Sequence, residues 1–435
     1  MYESKKIFGV MDCNNFFVSC ERVFNPVLEG KAVVVLSNND GCSVSRSQEA
    51  KDLGIKMGTT AFNVQREFID KGHQVEMCSS NYVLYGDMSR RVMSVLQSIV
   101  PDVEIYSIDE AFIDFTGMSG KQIDDKAKEI VYKVRKFTGI PVCVGVGSSM
   151  TLAKAANRFA KHFKGYKGYC YIDTEEKREK ALKLLDIGDV WGIGRRLSKF
   201  LTGRGIKTAY DFTKHSAYWV KKNLGVTGLR TYDELNGKAD LAIEEDAAKQ
   251  TITTSRSFGE MVDDKEQLGV AISNFAASGA EKLRAQHSAA ECVTVYITTN
   301  FFRNDLPQYY NTATIEFPEA TNSTVEIIKE CKRGLDAIYR EGFKYKKGGV
   351  ILSGIIPDNQ VQQNLFVESN YDKMKNINNL LDSVNHKFGR NKLHLAVQGG
   401  SGKQGDTKKE KWQMRREHLS KNYSTNLNEI ITLKV

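Results

Sequence analysis

An acidic pair, Asp109–Glu110, interrupts an otherwise apolar segment of the chain, SIDEAFIDF. Adjacent residues on a flat strand point to opposite faces of a sheet, so the two carboxylates can share one site only if the backbone bends or a strand ends near Asp109. The alternative is a hairpin turn that carries two solvated acids. Both interpretations remain open on this segment alone, and both place a pair of apolar strands over residues 104–115.

A third carboxylate, Asp12, directly follows an apolar run, residues 6–11, that predicts a buried strand. Taken alone, an aspartate in this position is usually a turn former or a helix N-cap. Together with the acidic pair it indicates more, because adjacent central strands can bring all three acids to one rim of a sheet.

Such a trio has the chemistry of a magnesium centre. Three carboxylates and a backbone carbonyl, for which Cys13 is close at hand, suit Mg²⁺ because this ion prefers oxygen ligands. Two such ions about 4 Å apart activate an attacking 3′-hydroxyl and stabilise a leaving pyrophosphate. Without metal the acids would repel one another and their pKa values would rise.

Short strands and helices alternate through the first 163 residues. Runs of β-branched residues predict strands over residues 31–36 and 141–146. Helical periodicity predicts helices over residues 15–23, 45–53, 82–99, 124–138 and 152–163. The order predicts a mixed α+β fold in which helices cover a β-sheet.

Beyond residue 175 the pattern changes. Short helices with glycine turns are predicted for residues 175–236, and the polar stretch 237–250 is predicted to be a linker. Residues 251–356 then predict a separate βαββαβ domain, with strands at 251–260, 292–299, 312–317 and 349–356 and helices at 265–286 and 323–339. After Pro357 the chain is polar and basic, and it is predicted to be partly disordered or to order only on binding.

Composition limits the partners and the compartment. A chain of 435 residues can form two to four domains, and a net charge of +9 favours a polyanionic partner, either nucleic acid or an anionic membrane surface. The eight cysteines include no C-x-x-C pair, which predicts reduced thiols rather than disulfides or a zinc site. Neither a signal-peptide core nor a span of about 20 apolar residues is present, so a cytoplasmic location is expected.

Seven motifs in one order carry a resemblance to a known family: MDCNNFFVSCE, SNNDGC, EAKDLGIKMG, SSNYVLYGDMS, EIYSIDEAF, VGVGSSMTLAK and VWGIGRR. Together they resemble the Y-family DNA polymerases, and within that family the UmuC branch, which forms the catalytic subunits of bacterial DNA polymerase V. The resemblance runs from about residue 8 to the C-terminus. It is strongest up to residue 257 and is recognisable again in QQNLF and KWQMRREHLS.

The resemblance implies a multidomain, α+β right-hand architecture. The palm would comprise residues 1–24 and 80–167, the fingers 25–79, and a helical thumb with a helix-hairpin-helix 168–238. A linker, 239–250, would lead to the βαββαβ little finger, 251–356, and to a C-terminal tail, 357–435. The predicted βαββαβ domain falls where the family has its little finger.

The resemblance also implies roles for residues near the reaction. Asp12, Asp109 and Glu110 match the family's metal-binding acids, with the carbonyl of Cys13 as a further ligand. Phe17 matches the aromatic steric gate that stacks under the sugar and excludes a 2′-hydroxyl; many relatives have tyrosine there. Of Phe16 and Phe17, one is expected to be ordinary core.

Other residues match positions that hold the incoming nucleotide or the DNA. The triphosphate would contact Ser45, Lys51 and Lys161; archaeal relatives have arginine at the Lys51 position and tyrosine at the Gln48 position. The DNA backbone would contact the hairpin and its neighbours, Gly192, Ile193, Gly194, Arg195 and Arg196, and also Arg256. A peptide like those that dock into a sliding clamp would use Gln362, Leu365 and Phe366.

The activity implied is error-prone, template-directed DNA synthesis past damaged bases, in DNA repair and SOS mutagenesis, with dNTPs and two Mg²⁺ ions. The implied partners are primer–template DNA, a sliding clamp, a cleaved UmuD-like dimer and a RecA filament. There are two alternatives. One is a non-catalytic subunit that keeps the fold and recruits others to damaged DNA, and the other keeps the catalysis in a different two-metal palm enzyme, such as a nucleotide cyclase. The basic tail, which contains Trp412, is compatible with binding of partners or DNA and equally with a solvated run of charge.

Overall fold

The computed structural model describes residues 6–239, 249–362, 371–389, 391–399 and 410–431. The chain forms two compact units, one of Met1–Glu245 with Glu417–Val435 and one of Asp246–Arg416. Most of the predicted linker, residues 239–250, lies outside the described residues. Every helix in the described ranges is too short or too polar to cross a bilayer. All eight cysteines are free thiols, as predicted.

The first unit confirms the predicted mixture of helices and strands. Its elements, in chain order, are β1 (Phe8–Cys13), α1 (Phe16–Phe24), β2 (Ala32–Leu36), β3 (Ser43–Arg46), α2 (Gln48–Asp52), α3 (Ala61–Glu67), β4 (Val75–Ser79), α4 (Tyr82–Ile99), β5 (Val103–Ile105), β6 (Glu110–Asp114), α5 (Gly120–Thr138), β7 (Val142–Gly147), α6 (Met150–His162), β8 (Tyr169–Tyr171), α7 (Glu175–Leu184), α8 (Arg195–Thr202), α9 (Ala209–Thr213) and α10 (Ala217–Leu235).

A five-stranded sheet in the order β5-β6-β1-β7-β8 forms the centre of this unit. Side chains alternate across it, as the period of a strand requires. Met11 and Ile113 point into the core that α4 and α5 cover. Val10 and Phe112 point to the other face, where they pack with Met150 and Ala153 of α6. The sheet is therefore covered by helices on both faces, and it ends at Tyr171, beyond the predicted palm boundary at residue 167.

Helix α6 approaches the sheet closely because β7 contains Gly145. A Cβ atom at this position would lie 2.0 Å from the backbone nitrogen of Asn157 and 2.3 Å from the carbonyl oxygen of Ala153. The Asn157 side chain, which is buried, donates hydrogen bonds to the carbonyl oxygens of Val10 (3.2 Å) and Cys143 (2.8 Å). The glycine and the buried amide together fix α6 across β1 and β7.

A second, three-stranded sheet in the order β3-β2-β4 belongs to the predicted fingers. The prediction of one helix over residues 45–53 is wrong, because Ser45 lies on β3 and only Gln48–Asp52 is helical. Strand β3 pairs antiparallel with β2, and this tertiary pairing overrides local helical propensity. The Ser47 hydroxyl then caps α2 by accepting a hydrogen bond from the amide of Ala50 (3.2 Å).

The second unit confirms the predicted βαββαβ order. Its elements are β9 (Ile252–Val262), α11 (Lys265–Ala285), β10 (Ser288–Thr299), β11 (Tyr310–Thr321), α12 (Thr324–Ile338), β12 (Tyr345–Pro357) and α13 (Tyr371–Phe388). The strands form an antiparallel sheet in the order β11-β10-β12-β9. Helices α11 and α12 cover one face with a core that includes Phe275, Leu283 and Leu335.

The described parts of the C-terminal region are folded, so the prediction of a partly disordered tail is wrong for them. Arg284 on α11 forms a bidentate ion pair with Asp382 on α13, at 2.6 and 2.7 Å. Trp412 is buried against Phe275, with ring centroids 6.2 Å apart. The polar sequence did not predict this packing, because Leu381 and Trp412 are isolated large apolar residues among charged ones.

Candidate active site

The backbone bends at the acidic pair, in the hairpin turn that joins β5 to β6, and both acids are partly buried. Glu110 is the first residue of β6, whereas Asp109 lies just before the strand. The bend is held by Ser107, whose Oγ accepts hydrogen bonds from the amides of Asp109 (3.2 Å) and Glu110 (3.1 Å). The carbonyl oxygen of Asp109 accepts a bond from the amide of Cys13 (2.9 Å), which ties the bend to the end of β1.

Asp12 and Glu110 are direct partners in the antiparallel pairing of β1 and β6. Both lie on the face of the sheet that α6 covers, because they continue the alternation of Val10 and Phe112. Two lysines on α6 meet them there. Lys161 forms an ion pair with Asp12, and the Nζ of Lys154 lies 2.9 Å from Oε2 of Glu110.

The two carboxyl groups differ in their affinity for a proton. Burial raises the pKa of Asp12 to about 7, a rise that Lys161 opposes and the hydrogen bond with Glu110 increases. Burial also acts to raise the pKa of Glu110, but hydrogen bonds with Asp12 and Lys154 outweigh it and lower that pKa. Asp12 therefore has the higher affinity for a proton, and a cation bound between the two groups would favour the charged form of both.

The structure brings Asp12 and Glu110 together but gives Asp109 another partner. Its Oδ1 accepts a hydrogen bond of 2.7 Å from the Ser107 hydroxyl. Accordingly, among the described residues no three acidic, cysteine or histidine side chains are grouped as they would be around a metal ion. All three acids nonetheless lie at one rim of the sheet, so rotation of the Asp109 side chain away from Ser107 is what a three-carboxylate site requires.

Lys154 is a functional candidate that the sequence prediction missed. Its ammonium group lies over three aromatic rings, with centroids 4.6 Å away in Tyr106, 5.1 Å in Trp191 and 5.5 Å in Phe112. This cage and the ion pair with Glu110 fix the side chain in one place. A signal for it exists in the sequence: Lys154 and Lys161 are two helical turns apart, which places both on one face of α6.

Phe17 has the environment expected of a platform, and Phe16 that of a core residue. Phe16 is buried, whereas Phe17 is only partly buried. The ring of Phe17 stacks on Tyr85 of α4, with centroids 4.6 Å apart and an angle of 14° between the ring planes, and meets Tyr82 edge-on at 6.0 Å. One of the two phenylalanines is therefore core, as predicted.

Basic side chains surround Lys51 of α2. The pKa of Lys51 is lowered by burial and by the neighbouring charges of Arg46 and Lys161. Its Nζ donates a 2.6 Å hydrogen bond to Oδ1 of Asn15, a residue with a left-handed backbone (φ 46°) at the β1–α1 turn. Ser45 is buried on β3. Lys51, Lys161 and Arg46 together form a basic site suited to a polyanion, and Arg46 was not predicted from the sequence.

The predicted DNA-contacting residues have varied surroundings. Gly192 has a φ of 93°, and a Cβ there would lie 2.6 Å from Oγ1 of Thr231, so this turn requires glycine. Ile193 is buried, whereas Gly194, Arg195 and Arg196 are exposed. Gly194 precedes α8, and the two arginines lie in its first turn. Their binding of DNA remains a prediction.

The DNA contact of Arg256 and the clamp binding of the peptide also stay predictions. The Arg256 guanidinium lies 5.8 Å from the ring centre of Trp412 and 6.0 Å from that of Phe275, an environment that also fits a structural role. Gln362 is exposed, and its predicted companions Leu365 and Phe366 lie outside the described residues.

Three family models match this chain. Residues 11–158 match the impB/mucB/samB family, residues 249–365 match the C-terminal domain of that family, and residues 375–433 match a domain of unknown function. The third match covers residues of both compact units, because the second unit ends at Arg416 and the later residues belong to the first.

The chain is similar to known proteins over two thirds or more of its length. It is 40% identical to Protein UmuC of Salmonella typhimurium over 98% of this chain and 100% of that protein. It is 27% identical to DNA polymerase IV of Staphylococcus aureus, over 67% of this chain and 88% of that one. A solved Y-family DNA polymerase chimera of Dbh and Dpo4 has a similar fold, with a TM-score of 0.64 and 21% identity over 80% of this chain and 99% of the chimera.

Proposed function

Because the chain belongs to the impB/mucB/samB family and has the fold of the Y-family DNA polymerases, we propose that it is an error-prone, DNA-directed DNA polymerase that copies past damaged template bases. The observation that carries this proposal is the single rim where Asp12 and Glu110 are paired, two lysines contact them, and Phe17 presents a partly exposed ring nearby. Phosphoryl transfer needs acids that hold metal ions and cations that neutralise phosphate charge. The ring adds a surface for the sugar of a nucleotide.

The acids at this rim fit a pair of Mg²⁺ ions. Asp12, Asp109 and Glu110, with the carbonyl of Cys13, would hold them, and a cation bound there would oppose the effect of burial, which raises the pKa of Asp12. When bound, the ions would activate the primer 3′-hydroxyl and stabilise the charge on the leaving pyrophosphate. The chain itself holds Asp12 on β1, Glu110 at the start of β6 and Asp109 just before that strand.

The incoming triphosphate would lie among Lys51, Lys161 and Arg46. Ammonium groups give point charges without the planar fork of a guanidinium, so Lys51 and Lys161 would neutralise phosphate oxygens without fixing their direction. Lys161, which pairs with Asp12 here, would be available to the phosphates if a cation were bound to that acid. Arg46 would add the directional contact that the lysines lack.

The sugar of the nucleotide would lie over Phe17. A planar ring at this position leaves no room for a 2′-hydroxyl, so the site would select deoxynucleotides. The Tyr85 ring stacks on Phe17 and limits its movement. Phenylalanine keeps the bulk of the tyrosine found in many relatives, so this selection should persist.

Primer–template DNA is the macromolecular substrate. The turn at Gly192, with Arg195 and Arg196, would bind a backbone phosphate on the helical part of the first unit, and the four-stranded sheet would add a second surface. We further propose the sliding clamp as a partner through Gln362, Leu365 and Phe366, and a cleaved UmuD-like dimer and a RecA filament as partners that act in the cytoplasm.

Primer extension across an abasic site tests the proposal and separates it from a non-catalytic recruitment subunit. The full chain, assayed with and without a UmuD-like partner and RecA, should extend the primer past the lesion. Glu110→Gln should abolish extension while DNA binding, measured by fluorescence anisotropy, is retained. Asp102→Asn, at an exposed residue beside β5, makes the same change of charge and should leave extension unaltered. Equal extension by Glu110→Gln and wild type would refute the assignment of the site.

A further inference from the structure

The last described residues of the chain form a strap on the first unit. This C-terminal strap, residues 417–431, lies far from the catalytic motifs in sequence, yet it contacts the elements beside Phe17. The amide of Ser79, the last residue of β4, donates to the carbonyl oxygen of His418 (3.0 Å). The amide of His418 in turn donates to Oγ of Ser79 (2.9 Å). Tyr423 stacks on Phe24 of α1, with ring centroids 5.1 Å apart.

The strap also holds the beginning of α4. The buried Asn81 caps this helix through Oδ1, which accepts a hydrogen bond from the amide of Leu84 (3.2 Å). Its Nδ2 donates to the carbonyl oxygen (3.2 Å) and hydroxyl (3.1 Å) of Ser420 and to the carbonyl oxygen of Lys421 (3.3 Å). The first turn of α4 carries Tyr82 and Tyr85, the two rings that pack against Phe17.

A buried carboxyl group links Ser420 to the platform directly. Glu21 is 3% exposed and lies one turn after Phe17 on α1. Its Oε1 accepts hydrogen bonds from the hydroxyl of Tyr85 (2.6 Å) and from the hydroxyl of Ser420 (3.0 Å). Burial raises the pKa of Glu21, and the two hydroxyl groups act in the opposite direction. One oxygen therefore joins the strap to the ring that supports Phe17.

We propose that the strap is a positioning element for sugar selection, and that Ser420 is its positioning residue. Ser420 acts through Glu21 and Tyr85 and fixes the height of the Phe17 ring under the sugar of the incoming nucleoside triphosphate. Exclusion of a 2′-hydroxyl is a steric effect that changes over fractions of an ångström, so loss of one link behind the ring weakens it. The inference rests on the proposed role of Phe17.

The test is the ratio of kcat/KM for a dNTP to that for the matching rNTP, opposite an undamaged template base, with the full chain. Ser420→Ala should lower this ratio about five-fold, the factor that corresponds to one hydrogen bond of average net strength. Ser420→Thr keeps the hydroxyl and should retain the wild-type ratio. Leu427→Ala, at a strap residue that is 86% exposed, is the matched control and should leave the ratio unchanged.

Phe17→Ala separates failure of this inference from failure of the proposed function. It should lower the ratio more than Ser420→Ala does, and adding Ser420→Ala to it should cause no further fall. An unchanged ratio in Phe17→Ala would remove the platform role itself. A lowered ratio in Phe17→Ala with a wild-type ratio in Ser420→Ala would overturn the strap inference alone, as would equal losses of dNTP and rNTP incorporation.

Tyr85→Phe tests the same link from the other side, and it serves if Ser420→Ala does not fold. It keeps the stacked ring and removes only the hydroxyl bonded to Glu21. The ratio should again fall by about five-fold, the factor that corresponds to one hydrogen bond. A folded Tyr85→Phe protein with the wild-type ratio would show that the Glu21 contacts do not act on Phe17.

Discussion

The two larger sheets of the protein differ in what covers their faces. In the five-stranded sheet, helices lie on both faces, and Asp12 is the one residue of β1 and β7 that is not fully buried. In the four-stranded sheet, exposed and covered residues alternate along β9 and β11, because helices cover one face only. Both sheets have neighbouring antiparallel strands at their centres, so strand direction does not explain the difference.

This difference separates two ways of placing polar groups on a sheet. A sheet covered on both faces leaves only the strand ends for a polar site, so charges gather at one rim and depend on one another. A sheet with an open face presents a row of independent side chains to solvent, which suits a long and regular partner such as the DNA backbone. Substitutions in the first sheet should therefore have large and coupled effects, and those in the second small and separate ones.

The largest contrast should come from removing one carboxylate from each sheet. Asp12→Asn should reduce kcat/KM for nucleotide incorporation by about a thousand-fold or more, equal to about 4 kcal/mol of transition-state stabilisation, because a metal ligand is lost. Glu316→Gln, at an exposed residue of β11, makes the same change and should reduce it less than two-fold, since it removes one solvated charge. Single-nucleotide incorporation measures both, and comparable losses would remove the contrast.

The next contrast concerns space for a methyl group. Gly145→Ala should destabilise the protein by about 3 kcal/mol or more, because its Cβ would meet the backbone of α6, which cannot move aside. Gly269→Ala on α11 meets no atom within 4 Å and should stabilise by up to about 1 kcal/mol through helix propensity. Urea unfolding followed by circular dichroism tests both, and a stable Gly145→Ala protein would contradict the close packing described.

The pH dependence of stability should have opposite signs in the two units. The pKa of Asp12 is about 7 in the folded state against 3.8 for an unperturbed aspartate, so folding binds a proton between these values. Metal-free protein should therefore lose stability on the order of 2 kcal/mol as pH rises from about 4 to about 7. Asp12→Asn should abolish this loss.

Asp263 in the second unit gives the opposite case. Its hydrogen bond with Lys411 lowers the pKa of the carboxyl, so the stability it contributes is lost as pH falls through that lowered value. Urea unfolding in the presence of a chelator measures the Asp263 contribution between about pH 4 and pH 2 and the Asp12 contribution between pH 5 and pH 8. If the stability of the Asp12→Asn protein still falls between pH 5 and pH 8, as that of the wild type should, the buried-proton explanation is refuted.

The smallest expected effect lies on the open face. Thr294 on β10 and Thr314 on β11 are cross-strand partners whose hydroxyl groups lie 2.8 Å apart. Thr314→Ala removes this contact and should destabilise by about 0.5 kcal/mol, since such exposed pairs contribute little. A loss above about 2 kcal/mol in urea unfolding would mean that this face is covered by something else in solution.

Local sequence patterns sufficed for most of the secondary structure. Helix α4 was predicted with its observed bounds, and the βαββαβ order of the second unit follows from apolar periodicity because each element has one buried side. They failed at residues 45–53, where pairing with β2 draws Ser45 into a strand. They also failed for the C-terminal region, where isolated apolar residues such as Trp412 pack within a polar sequence.

The candidate site was predicted in part. Motif resemblance pointed to Asp12, Asp109 and Glu110, but neither periodicity nor motif indicated that Lys154 would lie in an aromatic cage beside Glu110. The rings of Tyr106, Phe112 and Trp191 come from separate segments, and only the folded chain brings them together. Arg46 and Ser420 were missed for the same reason.

By itself, then, the sequence predicted a strand over residues 6–11 that leads to Asp12, and an acidic pair that interrupts apolar strands at Asp109–Glu110. The observed strand continues through Asp12 to Cys13. Strand periodicity is local, so residue types along a few positions are enough to fix it. The tertiary structure decided that Glu110 begins its strand while Asp109 precedes it, that each of two acids meets a lysine, and that Ser420 reaches the platform behind Phe17. These depend on register, helix approach and long-range contacts, which arise only when distant parts of the chain are packed together.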